Sequence, residues 1–208
     1  MKIGVYYVVS ATAAGQIAND SNFPWLKKLS EMTGFEFEVS DIDHLKDYEL
    51  AVEFIGSGGT EGLFLKDIDR FPRPCFLLTT GANNSLAASM EILSYLRQHE
   101  IPGEILHGSD QFVVDRIKDL AKVFTVKRRL NGCRIARVGK PSDWLISSDV
   151  DAKVSKELNG IEIIDVPMEE FFEEINKKEY KDNKYTEMIK AKGYDEKEIN
   201  EALYIYGA

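Results

Sequence analysis

Apolar positions come in two rhythms along this chain, and the alternation between them is the first thing the sequence says about its structure. Residues 3 to 9 form a β-branched and aromatic run that reads as a buried strand. A small-residue stretch, Ser10 to Asn19, reads as a loop. Asn22 then caps a helix with Pro24 in its first turn, Trp25, Leu29 and Met32 as its buried stripe, and Gly34 as its stop. Strands follow at 35 to 39, 50 to 55, 75 to 80 and 104 to 106, with a short helix opened by Asp41. Between the last two strands, the stretch from Pro74 to Gln98 gives the clearest unit: an apolar run, a polar turn at Gly81 to Ser85, and a helix halted by Pro102. That helix shows two stripes, Leu86, Met90 and Leu93 and then Ala88, Ile92 and Tyr95, which predicts cover on both sides.

Five strands alternating with helices predict an α/β fold, a doubly wound parallel Rossmann-like sheet with flavodoxin-type order 2-1-3-4-5. A long helix with Val113, Ile117, Leu120 and Phe124 on one face ends at Asn131-Gly132 and connects to a second part. The division predicted is a first domain over 1–131 and a partial second α/β domain over 132–208. In the second, strands at 134 to 138 and 161 to 166 flank a helix carrying Val150, Val154 and Leu158. Three further helices carry Phe171, Phe172 and Ile175, then Tyr185, Met188 and Ile189, then Ile199, Ala202, Leu203 and Tyr206. Asp195 and Glu198 stand at capping-box spacing before the last. Two strands cannot bury both faces of a parallel sheet. They are therefore expected either to take missing strands from beyond Ala208, as a piece of a longer protein, or to extend the first sheet.

Composition narrows the function. Of 208 residues, 44% are apolar and 11% aromatic, enough for a packed core, and the formal net charge of −9 opposes binding to nucleic acid. The one basic cluster, Lys127-Arg128-Arg129, ends a helix and complements its dipole. Cys75 and Cys133 have no metal-ligand spacing, and Cys75 lies in an apolar strand as a buried reduced thiol. The start of the chain imitates a secretory signal through Ala11-Thr12-Ala13, but its apolar run is short and holds two tyrosines. No stretch reaches the ~20 apolar residues of a membrane span. A cytoplasmic protein with no membrane partner is expected.

In a sheet of this type ligands lie outside the carboxyl ends of the strands, and the turns there hold the candidate chemistry. GSGGTEG, 56 to 62, allows backbone N–H groups to approach a ligand, but it matches neither the dinucleotide fingerprint nor the phosphate loop. Glu61 repels phosphate and favours a neutral polyol or a cation; the alternative is a plain glycine turn. Asn83, Asn84 and Ser85 both donate and accept, as sugar hydroxyls require, and they are also good helix caps. His107 and Asp110 sit at the next strand end, where the histidine is an acid, base or ligand, or is satisfied by local backbone. His44 and His99 read as surface residues. In PSDWLIS, 141 to 147, Asp143 and Trp144 suit stacking and hydrogen bonding to a sugar; the competing reading packs Trp144 in the second domain's core or an interface. No catalytic or metal-binding residue is assigned.

GTEGLF (59 to 64), TTGANNSLAASMEILSYLR (79 to 97) and VGKPSDWLISSDVD (138 to 151) together resemble the amino-terminal half of the L-fucose isomerase and L-arabinose isomerase-like superfamily, above all its fucose-isomerase-like members. The resemblance implies a cytoplasmic homo-oligomer that interconverts an aldose and a ketose through an enediol, with a divalent metal such as manganese on the sugar oxygens. The family's metal-binding acids and histidine belong to its carboxy-terminal half, which this chain does not match. By resemblance, then, the chain contributes to assembly and to a sugar pocket and is inactive alone. A stand-alone sugar-binding module and a flavodoxin-like nucleotide-binding protein remain the alternatives.

Overall fold

The computed structural model describes every residue except Thr12, and side chains outside residues 12–17. The chain divides into two units, Met1–Arg128 and Arg129–Ala208.

The first unit is an α/β fold around a five-stranded parallel sheet. Strands β1 (Lys2–Val8), β2 (Glu36–Val39), β3 (Leu50–Ile55), β4 (Cys75–Leu78) and β5 (Gly103–Leu106) lie in the order β2-β1-β3-β4-β5. Every neighbouring pair is parallel. The helices are α1 (Ala13–Thr33), α2 (Glu61–Lys66), α3 (Ser85–Gln98) and α4 (Asp110–Leu130). Strands β1, β3, β4 and β5 alternate between two cores because successive side chains leave opposite faces. On β3, Leu50, Val52 and Phe54 enter a core shared with Leu26 and Leu29 of α1 and with Val113 and Ile117 of α4. Ala51 and Ile55 enter the other, with Phe64 of α2 and Ala88, Ile92 and Leu96 of α3. Burying both faces explains why β3 reads as an apolar run rather than an alternation. Its one exception, Glu53, is as buried as its neighbours.

Three local expectations change. The stretch read as a loop from Ser10 is helical from Ala13, so Pro24 and Asn22 lie inside α1 rather than at its start; Thr12 falls outside the described residues. Small residues hid the first turns because they give no apolar period. On α3 the stripe of Ala88 and Ile92 is buried, but Met90 is exposed at 60%, so cover on both sides is only partial. None of Asn83, Asn84 and Ser85 caps α3 through its side chain.

The second unit contains β6 (Arg134–Val138), α5 (Ala152–Asn159), β7 (Glu162–Val166), α6 (Met168–Asn176), α7 (Lys184–Lys190) and α8 (Glu196–Gly207). Asp151 caps α5, Asn183 makes a capping box on α7, and Asp195 caps α8. β6 and β7 pair in parallel with each other as a separate sheet, so they do not extend the first one. The unit has little core of its own: among the described residues its buried apolar side chains are Ile199 and Leu203. Ile135, Val154 and Leu158 are 46–65% exposed. Trp144 is not packed in this unit's core either; it is 80% exposed in the turn after β6.

Candidate functional site

The chain passes from β1 out to β2 and back across β1 to β3, which places the point where the strand order reverses beside the carboxyl ends of β1 and β3. In open sheets of this type the ligand crevice lies at this point. Residues there share hydrogen bonds across four elements. Asn22, fully buried on α1, donates through Nδ2 to Tyr7 Oη at 2.9 Å and to the Gly56 carbonyl at 3.0 Å, and its Oδ1 accepts from Thr80 Oγ1 at 3.3 Å. One amide thereby ties the ends of β1, β3 and β4 to the helix. Tyr7 in turn donates to Asn19 at 2.7 Å, and burial raises its phenol above the usual value although the Asn22 bond opposes that. Ser10 N–H donates to Ser57 Oγ at 3.0 Å across the crevice.

The loops after β3 and β4 lock together. Gly58 N–H donates to the Asn83 carbonyl at 2.8 Å, and a Cβ on Gly58 stands 2.9 Å from that of Asn84. Only glycine lets the two backbones approach this closely. Asn83 (φ 52°, ψ 38°) and Asn84 (φ 60°, ψ 16°) are consecutive left-handed residues. Asparagine is one of the few side chains that tolerates this region, at roughly 1 kcal/mol or more per residue. Both side chains are exposed, and neither has a hydrogen-bond partner among the described residues. Backbone strain in this loop thus accompanies the presentation of two adjacent amides to solvent.

The other predicted residues divide. Ser85 is fully buried; its hydroxyl accepts from Thr79 Oγ1 at 2.7 Å and serves the loop's interior. His107, half-buried, lies 3.2 Å from the Thr79 carbonyl through Nδ1. A carbonyl only accepts, so Nδ1 carries the proton and Nε2 is left without a partner among the described residues. Glu61 opens α2 directly after Thr60, on the same rim. Asp110 is committed elsewhere: it accepts from Trp25 Nε1 at 2.7 Å and pairs with Lys28, which holds its carboxyl below the usual range. Asp143 and Trp144 lie in the second unit, both exposed, where Leu145 N–H closes the turn onto the Ser142 carbonyl at 2.9 Å. Sequence reasoning missed Asn22 and Tyr7 as parts of the site, and the one available signal was a polar residue at an inward position of α1.

His107 also fixes the identity of Gly81. That glycine has φ 80°, and a Cβ there stands 2.6 Å from His107 Cε1. Gly59, at φ 73°, has nothing within 4 Å of the same position. Gly59→Ala is therefore expected to cost about 1 kcal/mol from backbone strain, and Gly81→Ala a further 1–2 kcal/mol from the clash. Chemical denaturation of both variants measures the difference; equal destabilisation removes the contact from the account.

Among the described residues no group of three or more histidine, cysteine, aspartate or glutamate side chains stands together to hold a metal ion. No described helix is long and apolar enough to cross a membrane. Comparison with known protein families and with curated proteins returns no match.

Proposed function

We propose that this chain is a sugar-recognition unit of an aldose–ketose isomerase-like protein, binding a neutral polyhydroxylated ligand at the rim of its first sheet and assembling with further subunits. The carrying observation is the pair Asn83 and Asn84, held in left-handed backbone with both amides exposed and without a protein partner among the described residues. An amide offers a donor and an acceptor in fixed geometry, the complement of vicinal hydroxyls. His107 Nε2 supplies a third polar group on the same rim. Charge argues against the nucleotide alternative: Glu61 occupies the first turn of α2, where a phosphate would sit, and the helix is only six residues long. The assembly half of the proposal is supported by the second unit, where Ile135, Val138, Val154 and Leu158 are 45–65% exposed. The proposed role is recognition alone, with no step routed through a metal, because the described residues supply no donor set for one.

Calorimetric titration with a panel of aldoses and ketoses, L-fucose and L-arabinose included, tests the binding reading. Asn83→Gly and Asn84→Gly keep the left-handed backbone at no steric cost while deleting one amide each. Each is expected to weaken binding about tenfold, the worth of one to two hydrogen bonds in a partly dry site. Absence of heat with every sugar, under conditions where the first unit is folded, overturns the reading. So does binding that both variants leave unchanged.

A further inference from the structure

We infer that the outer edge of β6 is a self-association edge, at which a second copy of this chain pairs antiparallel about a two-fold axis through Ala136 to give one continuous sheet β7-β6-β6-β7. The inference deepens the assembly half of the proposed function and identifies the partner as a second copy.

The parity of the existing bonds shows which backbone groups are available. Glu162 N–H donates to the Cys133 carbonyl at 2.8 Å, and Gly139 N–H donates to the Val166 carbonyl at 3.0 Å. Odd-numbered residues of this stretch therefore face β7. Strand geometry alternates, so the N–H and C=O groups of Arg134, Ala136 and Val138 face outward, where no neighbouring strand of this sheet stands. In an antiparallel pair two residues directly opposite exchange both bonds when both face the partner. A two-fold axis through Ala136 makes Ala136 face its own copy and sets Arg134 opposite Val138 on each side. All three outward residues are then satisfied at once.

The side chains agree with this register. Opposite positions become Ala136 with Ala136, Arg134 with Val138, and Ile135 with Arg137, so no two like charges face each other. The arginines are already neutralised within the protomer: Arg137 pairs with Asp165 at 2.7 Å and Asp149 at 3.0 Å, and Arg134 with Glu162 at 3.6 Å. Their aliphatic stems are free to lie across Val138 and Ile135, which are 45% and 51% exposed. The strand also lacks a proline or a bulge, and its two charged side chains, Arg134 and Arg137, are paired within the protomer. Pairing β6 of one copy with β7 of the next, by contrast, never closes and runs on as a filament, whereas the two-fold arrangement closes at two.

The test uses the full chain. Sedimentation velocity across a concentration series is expected to show a monomer–dimer equilibrium with no larger species. In a Cys133→Ser background, Ala136→Cys is expected to cross-link through a short bifunctional maleimide in proportion to the dimer fraction, because residues directly opposite in such a pair lie about 5.5 Å apart. Ala136→Pro, which removes the outward N–H, is expected to shift the equilibrium toward monomer by tenfold or more while leaving the circular dichroism of the first unit unchanged. A monomer at every concentration overturns the inference. So does a dimer that Ala136→Cys fails to cross-link, or one that grows into filaments. Sugar titration reads a different unit of the chain, so failure here and failure of the binding proposal are separable.

Discussion

Raising the pH from about 4.5 to about 8 is expected to lower the unfolding free energy of the first unit by a few kcal/mol, and Glu53→Gln is expected to remove that dependence. Glu53 is buried on β3 with its carboxyl group accepting the Phe76 N–H at 2.7 Å. The β3–β4 ladder is formed only at Glu53↔Leu77 and Phe54↔Leu78, so the carboxyl supplies the acceptor that the ladder lacks one residue earlier. Burial pushes its pKa from 4.5 up to about 8, against the opposing pull of the Phe76 bond and of Arg73. The folded state thus keeps a proton that the unfolded chain has released. Where the unfolded state binds fewer protons, stability falls as pH rises, by up to roughly 1.4 kcal/mol per unit, and levels off above the folded pKa. Nearby Cys75, which accepts from Arg73 Nη1 at 2.9 Å, is pushed up to about 11 and titrates outside this window.

His44, raised by Asp41, acts in the same direction near neutral pH, so the informative quantity is the difference between native and Glu53→Gln protein. Urea unfolding followed by Trp25 fluorescence in a Trp144→Phe background supplies it. Glutamine preserves an acceptor for Phe76 and cannot ionise, so the variant is expected to gain on the native protein steadily from pH 5 to pH 8. Parallel profiles over that range remove Glu53 as the cause.

The second large effect is expected at Asn22. Asn22→Leu keeps the volume roughly constant but leaves the Gly56 carbonyl without its donor and Thr80 without its acceptor, and Tyr7 loses one bond. A buried unsatisfied group costs about 1–3 kcal/mol, so a total of about 2–4 kcal/mol is expected in denaturant unfolding. Because the same amide joins the strand ends that launch the 56–60 and 79–85 loops, sugar affinity is expected to drop at least tenfold even under conditions where the variant is fully folded. Unfolding within about 0.5 kcal/mol of native protein sinks the structural part of this account, and unchanged affinity sinks the coupling.

These two residues mark where reading the chain as a string stops working. The apolar run Leu50 to Ile55 placed β3 correctly to the residue, and its carboxyl end placed the 56–60 loop on the rim. The same run concealed Glu53, whose partner is twenty-three positions away and is fixed only by how β4 registers against β3. Asn22 read as a helix cap because asparagine followed a small-residue stretch; its actual partners come from three strand ends. Asn83, Asn84 and His107 were singled out because a strand, a polar turn and a helix in that order mark the edge where such sheets usually take ligands. The turn is bonded to Gly58, a residue of a different loop.

Periodicity, turn residues and the handedness of crossovers were enough to set the order of strands and helices, the five-stranded parallel sheet and the edge on which the exposed amides lie. All three act over neighbouring positions, so a linear string of residues carries them. Which polar groups are satisfied inside the fold and which stay open emerged only from the folded chain: Ser85, Asn22 and Glu53 inside, Asn83, Asn84 and the edge of β6 outside. A hydrogen bond needs a partner at about 3 Å in a particular direction, and for residues far apart along the chain that partner is set by strand register and packing.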